Sequence, residues 1–156
     1  MTKHLKYLWY VIRHKWFVFV AGLKVGEIPI WRLIIHDYTK FSKSEWTPYV
    51  NKFYGGRAGV EDKTLDPNEF KQAWKHHWAH NPHHWEYWTE EYTEPQQMPD
   101  NFAREMVADW MGAGRAITGS WDGLPDWYNK TKATRVLHPS TKRRVENLLH
   151  QMGYVI

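Results

Sequence analysis

The sequence predicts an all-α fold, a compact single-domain helical bundle over residues 1–156. Three observations support this prediction. Apolar residues recur at helical spacing, helix-start signals precede the longest runs, and the alternation typical of strands is nearly absent. A chain of 156 residues has the size of one ordinary domain, so we expect no second core.

The first three helices follow from apolar spacing and start signals. A helix over about residues 4–23 carries an apolar stripe formed by Leu5, Leu8, Trp9, Ile12, Trp16 and Val20. Pro29 can occupy the first turn of a second helix, which leads through an apolar run to His36-Asp37. Ser42 followed by Glu45 matches a capping box and predicts a third helix through Phe53.

The middle of the chain is predicted as a loop followed by a well-marked helix. The glycines of residues 54–65 indicate an exposed loop. Asp66-Pro67-Asn68-Glu69 is a helix start with a capping Asp and Pro at the first position, and this helix should reach His80. Pro82 disfavours helical geometry at Asn81 and ends it, with one or two further turns over residues 83–87.

The last part of the chain is predicted to hold two more helices. Pro99 begins a long helix that continues to Ala113. Residues 121–125 are predicted as a loop. A final helix runs from about Pro139 to Gln151, with Gly153 near its C-terminal cap.

The composition limits the possible chemistry. The chain has no cysteine, so disulfides, thiolate metal sites and cysteine nucleophiles are excluded, and any metal must be held by nitrogen and oxygen ligands. The apolar run over residues 16–23 is too short to span a membrane. We therefore expect a cytoplasmic protein with no membrane partner. The net charge of +4 suits an anionic partner, and the many Trp and Tyr residues would suit a homo-oligomer interface.

Two short stretches suggest a metal site. His36-Asp37 ends an apolar run, so these polar groups should reach a partly buried place and need partners there. Five histidines then fall within residues 76–84, far more than the composition would give by chance. Among them His77, His80 and His84 share a helix face only if Pro82 leaves the register intact.

A third stretch places two acids on one helix face. Glu105 and Asp109 are four residues apart, which makes them neighbours on a helix. They could form an ordinary solvated pair. Asp109, however, lies among Val107, Ala108 and Trp110, which favours an interior ligand.

The order of these residues resembles that of the HD-domain superfamily of metal-dependent phosphohydrolases. The matching order is His14, then His36-Asp37, then the histidine cluster, then Asp109. The surrounding sequence, from His14 to about Tyr128, is also similar to a small uncharacterised bacterial and phage family related to HD proteins.

This resemblance implies an HD-type helical bundle with one or two divalent transition metals, which could be Mn, Fe, Co, Ni or Zn. His14, His36, Asp37 and Asp109 would hold the first ion. Asp37 would bridge to a second ion held by His77 and by His83 or His84. The close spacing of these histidines departs from the usual two-metal pattern, and the choice among the five stays open.

The implied reaction is metal-assisted hydrolysis of a nucleotide or another small phosphate ester, because a metal activates water and neutralises phosphoryl charge. Catalytic roles fall to Asp37 and Lys40. Lys40 stands where one-metal HD nucleotidases often have an acid, and it is better suited to hold a phosphate, together with Arg115. Two alternatives remain: a di-iron oxygenase of HD type, and a basic, aromatic-rich nucleic-acid-binding protein without enzymatic activity.

Overall fold

Seven α-helices and three short 3-10 helices form the fold in a computed structural model that describes residues 1–55 and 66–156. The α-helices are α1 (Lys3–Val25), α2 (Ile30–Ile35), α3 (Lys43–Tyr54), α4 (Pro67–His80), α5 (Asp100–Thr118), α6 (Leu124–Thr131) and α7 (Pro139–Gln151). The 3-10 helices are Tyr38–Phe41, Trp85–Trp88 and Lys132–Thr134. These two stretches contain no strand, and the all-α prediction is confirmed.

The predicted elements agree with this structure except at two places. The predicted loop over residues 54–65 falls mainly outside the described residues, although Tyr54 still belongs to α3. The predicted loop over residues 121–125 covers residues 121–123 correctly but is wrong for the last two, because α6 begins at Leu124. α6 has only eight residues, so its apolar pattern in the sequence is short. Its two buried residues, Leu124 and Tyr128, lie one turn apart and pack this helix against the core.

The helices α1 and α5 form the centre of the fold. They meet at Gly112, where a Cβ atom would lie 2.5 Å from the backbone N and 2.7 Å from the Cα of Val18. Only glycine allows two backbones to approach this closely. One turn away from this contact, α1 carries His14 and α5 carries Asp109. The close approach therefore places two of the predicted ligands on facing helices.

Two apolar clusters lie on either side of the predicted site. The larger joins the C-terminal half of α1 to α5, α6 and α7. The smaller joins α1 to α3 and α4 through Tyr7, Val11, Tyr49, Val50 and Ala73. On α1, the buried His14 lies between Val11 of the smaller cluster and Val18 of the larger one. The site is thus enclosed between two packed regions.

The apolar stripe predicted on α1 faces outward. Five of its six members are exposed, namely Leu5, Trp9, Ile12, Trp16 and Val20, and Leu8 is half-buried. The core face of α1 is instead formed by Tyr7, Val11, His14, Val18 and Ala21. A helix with apolar residues on both faces has one face that its own core does not cover. No helix within the described residues is long and apolar enough to cross a membrane.

Candidate metal centre

The chain turns sharply where α2 ends, and this turn presents His36 and Asp37 together. α2 stops at Ile35, and Asp37 adopts a left-handed conformation with φ of 55° before the 3-10 helix that follows. Non-glycine residues seldom adopt this conformation, although Asp tolerates it better than most, and such strain concentrates at functional sites. Both side chains are buried as a result, at 2 % and 1 % exposure.

Four predicted ligands from three parts of the fold converge on one point. Nε2 of His14 lies 3.0 Å from Oδ2 of Asp37 and 3.3 Å from Oδ1 of Asp109. Nε2 of His36 lies 3.3 Å from the same Asp109 oxygen and 3.5 Å from Oδ2 of Asp37. These four buried residues present ligand atoms within 4.8 Å of one another, close enough to hold a metal ion.

A second group surrounds the other oxygen of Asp37. Oδ1 of Asp37 lies 3.3 Å from Nε2 of His77 and 3.4 Å from Nε2 of His83. Nε2 of His84 is 2.9 Å from Nε2 of His77. Asp37, His83 and His84 also satisfy the distances of a metal-binding group. The two oxygens of Asp37 therefore face two different sets of histidines.

The structure distinguishes among the five clustered histidines. His77, His83 and His84 join the centre, as the distances above show. His76 is directed away, towards Glu45, with Nδ1 2.8 Å from Oε1. His80 is exposed, and its Nδ1 donates to the backbone oxygen of His76 at 2.8 Å. Since α4 ends at His80, the i, i+7 register does not continue, and the turn after Asn81 places His83 and His84 instead.

Two buried glutamates orient the histidines from behind. Nδ1 of His77 donates to Oε2 of Glu45 at 2.8 Å. Oε1 of Glu105 lies 3.1 Å from Nδ1 of His36 and 3.3 Å from Nδ1 of His83, and its Oε2 accepts from Arg32 at 2.7 Å. Carboxylates that accept the far N–H of a ligand histidine fix the ring and its tautomer.

The role of Glu45 was missed in the sequence, where it completes a capping box with Ser42. α3 does begin after Ser42, but the Ser42 side chain caps no backbone N–H. The Glu45 carboxylate is fully buried and faces α4 instead. One signal was available: Glu45 is one turn before Tyr49, on the face of α3 that packs inward.

The proximity of opposite charges shifts the pKa values of the centre. Burial alone would raise the pKa of Asp37 and of Asp109, but His36 holds both pKa values well below their usual range. Lys40 also lowers the pKa of Asp37, and His14 also lowers the pKa of Asp109. Burial lowers the pKa of His84 well below its usual range, with His83 adding to the effect. The pKa of His83 rises to about 10, because its contacts with Asp37 and Glu105 outweigh burial. The carboxylates are therefore ionised at neutral pH.

The two predicted substrate-binding cations lie in different places. Nζ of Lys40 is 2.8 Å from Oδ2 of Asp37 and 3.3 Å from Nε2 of His77, so Lys40 belongs to the centre. The guanidinium of Arg115 packs over the rings of Phe17 and Trp121. No contact among the described residues joins Arg115 to the centre, and its predicted phosphate role has no support from its position.

The fold and this centre define an all-helical protein with a buried histidine and carboxylate cluster that could hold metal ions. The chain belongs to a family of unknown function, DUF5662, whose model matches residues 3–151. No curated protein and no solved structure matches the chain. The proposals that follow therefore depend on the geometry of this chain.

Proposed function

We propose that this protein is a metal-dependent phosphohydrolase that acts on a nucleotide or another small phosphate ester. One observation carries the proposal: the two oxygens of Asp37 face two sets of ligand atoms, with His14, His36 and Asp109 on one side and the clustered histidines on the other. A carboxylate in this position suits two metal ions close together, an arrangement common in enzymes that cleave phosphate esters.

The buried polar atoms of the centre fit metal binding. His36 Nε2, Asp37 Oδ1, His83 Nε2 and Asp109 Oδ1 are all buried and have no hydrogen-bond partner among the described residues. A buried polar atom without a partner costs free energy comparable to a lost hydrogen bond. A bound cation would give each of these atoms a partner.

The balance of charge also fits a divalent cation. Four carboxylates, those of Asp37, Glu45, Glu105 and Asp109, are buried in or beside the centre. Two of these carboxylates contact a lysine or an arginine: Asp37 contacts Lys40, and Glu105 contacts Arg32. The charge of these two cations does not depend on the protonation of a histidine. In the metal-free centre, protonated His83, whose pKa is about 10, offsets part of the negative charge of the carboxylates. Once the histidines are neutral, as metal ligands must be, two excess negative charges remain, and they favour a divalent cation. A ligand set of imidazole and carboxylate suits Mn, Fe, Co, Ni or Zn.

The side chains of the centre would have different roles in this reaction. A bound divalent ion would supply an activated water and a positive charge for the phosphoryl oxygens. Glu45 and Glu105 hold the ligand rings in place. Lys40, whose ammonium lies beside Asp37, supplies a fixed positive charge for a phosphate oxygen.

Metal analysis of the purified full chain tests this proposal. We expect stoichiometric transition metal in the wild-type protein. The Asp37→Asn variant should lose metal from both sets of ligand atoms that face residue 37. Asn tolerates the left-handed conformation but lacks the negative charge. His77→Gln should reduce the metal content only in part. His80→Gln is the matched control from the same histidine run and should leave it unchanged.

The substrate class is tested by a screen of nucleotides and small phosphate esters with added manganese, cobalt or nickel. Release of phosphate that requires metal and Asp37 supports the proposal. Bound iron with oxygen consumption in place of hydrolysis would identify an oxygenase. Nucleic-acid binding that survives both chelation and Asp37→Ala would instead favour a binding protein. If the protein carries no metal and Asp37→Asn changes neither metal content nor stability, the metal-centre hypothesis fails.

A further inference from the structure

An uncovered apolar face runs along the whole of α1. It consists of Leu5, Trp9, Ile12, Trp16, Val20 and Leu23, and we call it the outer face. Trp9 and Trp16 are 57 % and 61 % exposed. The residues follow one another at spacings of three or four, so they form one continuous stripe on the helix surface. Contiguous apolar surface of this size marks an interaction site.

The second helix extends this apolar surface. α2 packs beside α1, where Leu33 fills the space over Gly22 and the ammonium of Lys15 donates to the backbone oxygen of Ile34 at 3.2 Å. On α2 itself, Trp31 and Ile34 are exposed. Positions 15 and 22 of α1 adjoin the outer face, so α2 borders it.

The positive charge of the molecule is concentrated on the same two helices. Residues 1–36 contain six Lys or Arg residues and a single acidic residue, Glu27, a net charge of +5. Residues 37–156 contain fifteen basic and sixteen acidic residues, a net charge of −1. The whole positive balance of the chain thus lies in the segment that carries the outer face.

One row of cations follows the edge of the outer face. Lys6, Arg13 and Lys24 are seven and eleven residues apart, which are close to whole numbers of helical turns, so they share one side of α1. Lys6 and Lys24 are exposed, and Arg13 is half-buried over the ring of Phe17. A groove of about 620 Å³ between α1, α3 and α5, lined mainly by apolar groups, includes Lys6, Trp9 and Arg13.

We propose that α1 and α2 bind the surface of an anionic lipid membrane, with the outer face lying in the interface. A helix with Trp and aliphatic residues on one face and Lys or Arg beside them matches this mode of binding. The sequence argument against a membrane partner concerned a spanning segment, and a helix that lies on the surface needs no such length.

Charge and side-chain chemistry distinguish this partner from two others. A second copy joined antiparallel along α1 would bring two rows of cations together, and like charges oppose that contact. A nucleic acid would suit the cations and could stack on Trp9 and Trp16, but it would leave the aliphatic groups of Leu5, Ile12, Val20 and Leu23 uncovered. Anionic lipid satisfies the apolar residues and the cations together.

Sedimentation of the full-length protein with lipid vesicles tests the proposal. We expect binding to vesicles of equal parts phosphatidylcholine and phosphatidylglycerol, and much weaker binding to phosphatidylcholine alone. Added salt should weaken the binding, since the attraction to anionic lipid is screened.

Variants assign the binding to the outer face. The pair Trp9→Ser and Trp16→Ser should lower vesicle affinity by about ten-fold or more, because both rings leave the interface. The pair Val136→Ser and Val155→Ser removes exposed aliphatic groups elsewhere and should have no effect. Circular dichroism checks that each variant keeps its helices, as expected for exposed positions.

A second set of variants tests the charge. Lys6→Gln and Lys24→Gln should each weaken binding to the anionic vesicles by about five-fold. Lys130→Gln and Lys142→Gln, exposed on α6 and α7, should not. Equal binding to both vesicle types would overturn the role of anionic lipid. No vesicle binding, with a dimer in light scattering that Trp16→Ser dissociates, would assign the outer face to a second copy and overturn the proposal.

Discussion

Nδ1 of His77 lies 2.8 Å from Oε2 of Glu45, and both side chains are fully buried. This contact joins α4 to α3 and leaves Nε2 of His77 directed at Asp37, 3.3 Å from its Oδ1. Glu105 acts in the same way on His36 and His83 from α5. The rings of His36, His77 and His83, which face Asp37, are thus held by carboxylates from other elements of the fold.

Replacing Glu45 with Gln should weaken metal binding by about 10- to 100-fold. The amide keeps the size of the side chain but loses the negative charge that accepts the Nδ1–H of His77 and holds its ring in place. Competition against a chelator measures this affinity. Glu69→Gln, in the first turn of α4 and apart from the centre, is the control. Equal affinities in the two variants would show that Glu45 does not support the metal.

Replacing Lys40 with Met should leave the metal content near that of the wild type and reduce phosphate-ester hydrolysis by about 10²-fold or more. The ammonium 2.8 Å from Asp37 is not a metal ligand, and its loss removes a fixed charge that the phosphate needs. Steady-state rates together with metal analysis separate the two effects. Lys75→Met, exposed on α4, is the control. Full activity in the Lys40 variant would exclude this role.

Most residues of the centre could be predicted from the sequence because they depart from their local pattern, whereas His14 is implied only by the resemblance to HD proteins. A His-Asp pair at the end of an apolar run, five clustered histidines and an Asp among apolar residues are all hard to explain locally. Asp109 lies together with His14, His36 and Asp37. His77 lies 3.3 Å from the other oxygen of Asp37. The choice of His83 and His84 over His76 and His80 depends on the turn after α4, which residue spacing alone does not determine.

Glu45 could not be found in this way because it has a sufficient local explanation. A capping box accounts for a Glu three residues after Ser42, and only the packing of α3 against α4 reveals its contact with His77. The spacing of apolar residues does not identify the core face of α1, for a related reason. The helix has apolar residues on two faces, and spacing cannot decide that Val11 and Val18 face the core while Trp9 and Trp16 do not.

Asp100 should stabilise the fold at neutral pH and lose this contribution in acid. The hydrogen bond from Arg144, reinforced by one from Arg104 and opposed by slight burial, lowers the pKa of Asp100 below its ordinary value of 3.8. A carboxyl whose pKa is lowered on folding stabilises the protein at higher pH and loses this contribution as the pH falls through the folded pKa. Asp100 is about half exposed, so the contribution is about 1 kcal/mol at most.

Asp100→Asn should therefore lower the free energy of unfolding at neutral pH and have progressively less effect below pH 3.8. Denaturant unfolding at several pH values measures the difference. Asp126→Asn is the matched control, because Asp126 also lies in the first turn of a helix, α6. A penalty for Asp100→Asn that stays constant into acid would contradict the assigned ion pairs with the two arginines.

The contact between α1 and α5 makes a sharper prediction about two glycines on one helix. Gly112→Ala should lower the free energy of unfolding by about 1–3 kcal/mol, because its methyl group would lie 2.5 Å from the backbone N of Val18 and force the helices apart. Gly114→Ala should raise it by up to about 1 kcal/mol, since nothing lies within 4 Å of the added Cβ and alanine favours the helix.

Denaturant unfolding of the metal-free protein measures both effects without a contribution from bound metal. Metal affinity provides a second readout, because separating α1 from α5 also separates Nε2 of His14 from Oδ1 of Asp109, now 3.3 Å apart. Gly112→Ala should therefore lose affinity and Gly114→Ala should not. If the two variants are equally stable and bind metal equally well, the close approach at Val18 does not set the geometry of the centre.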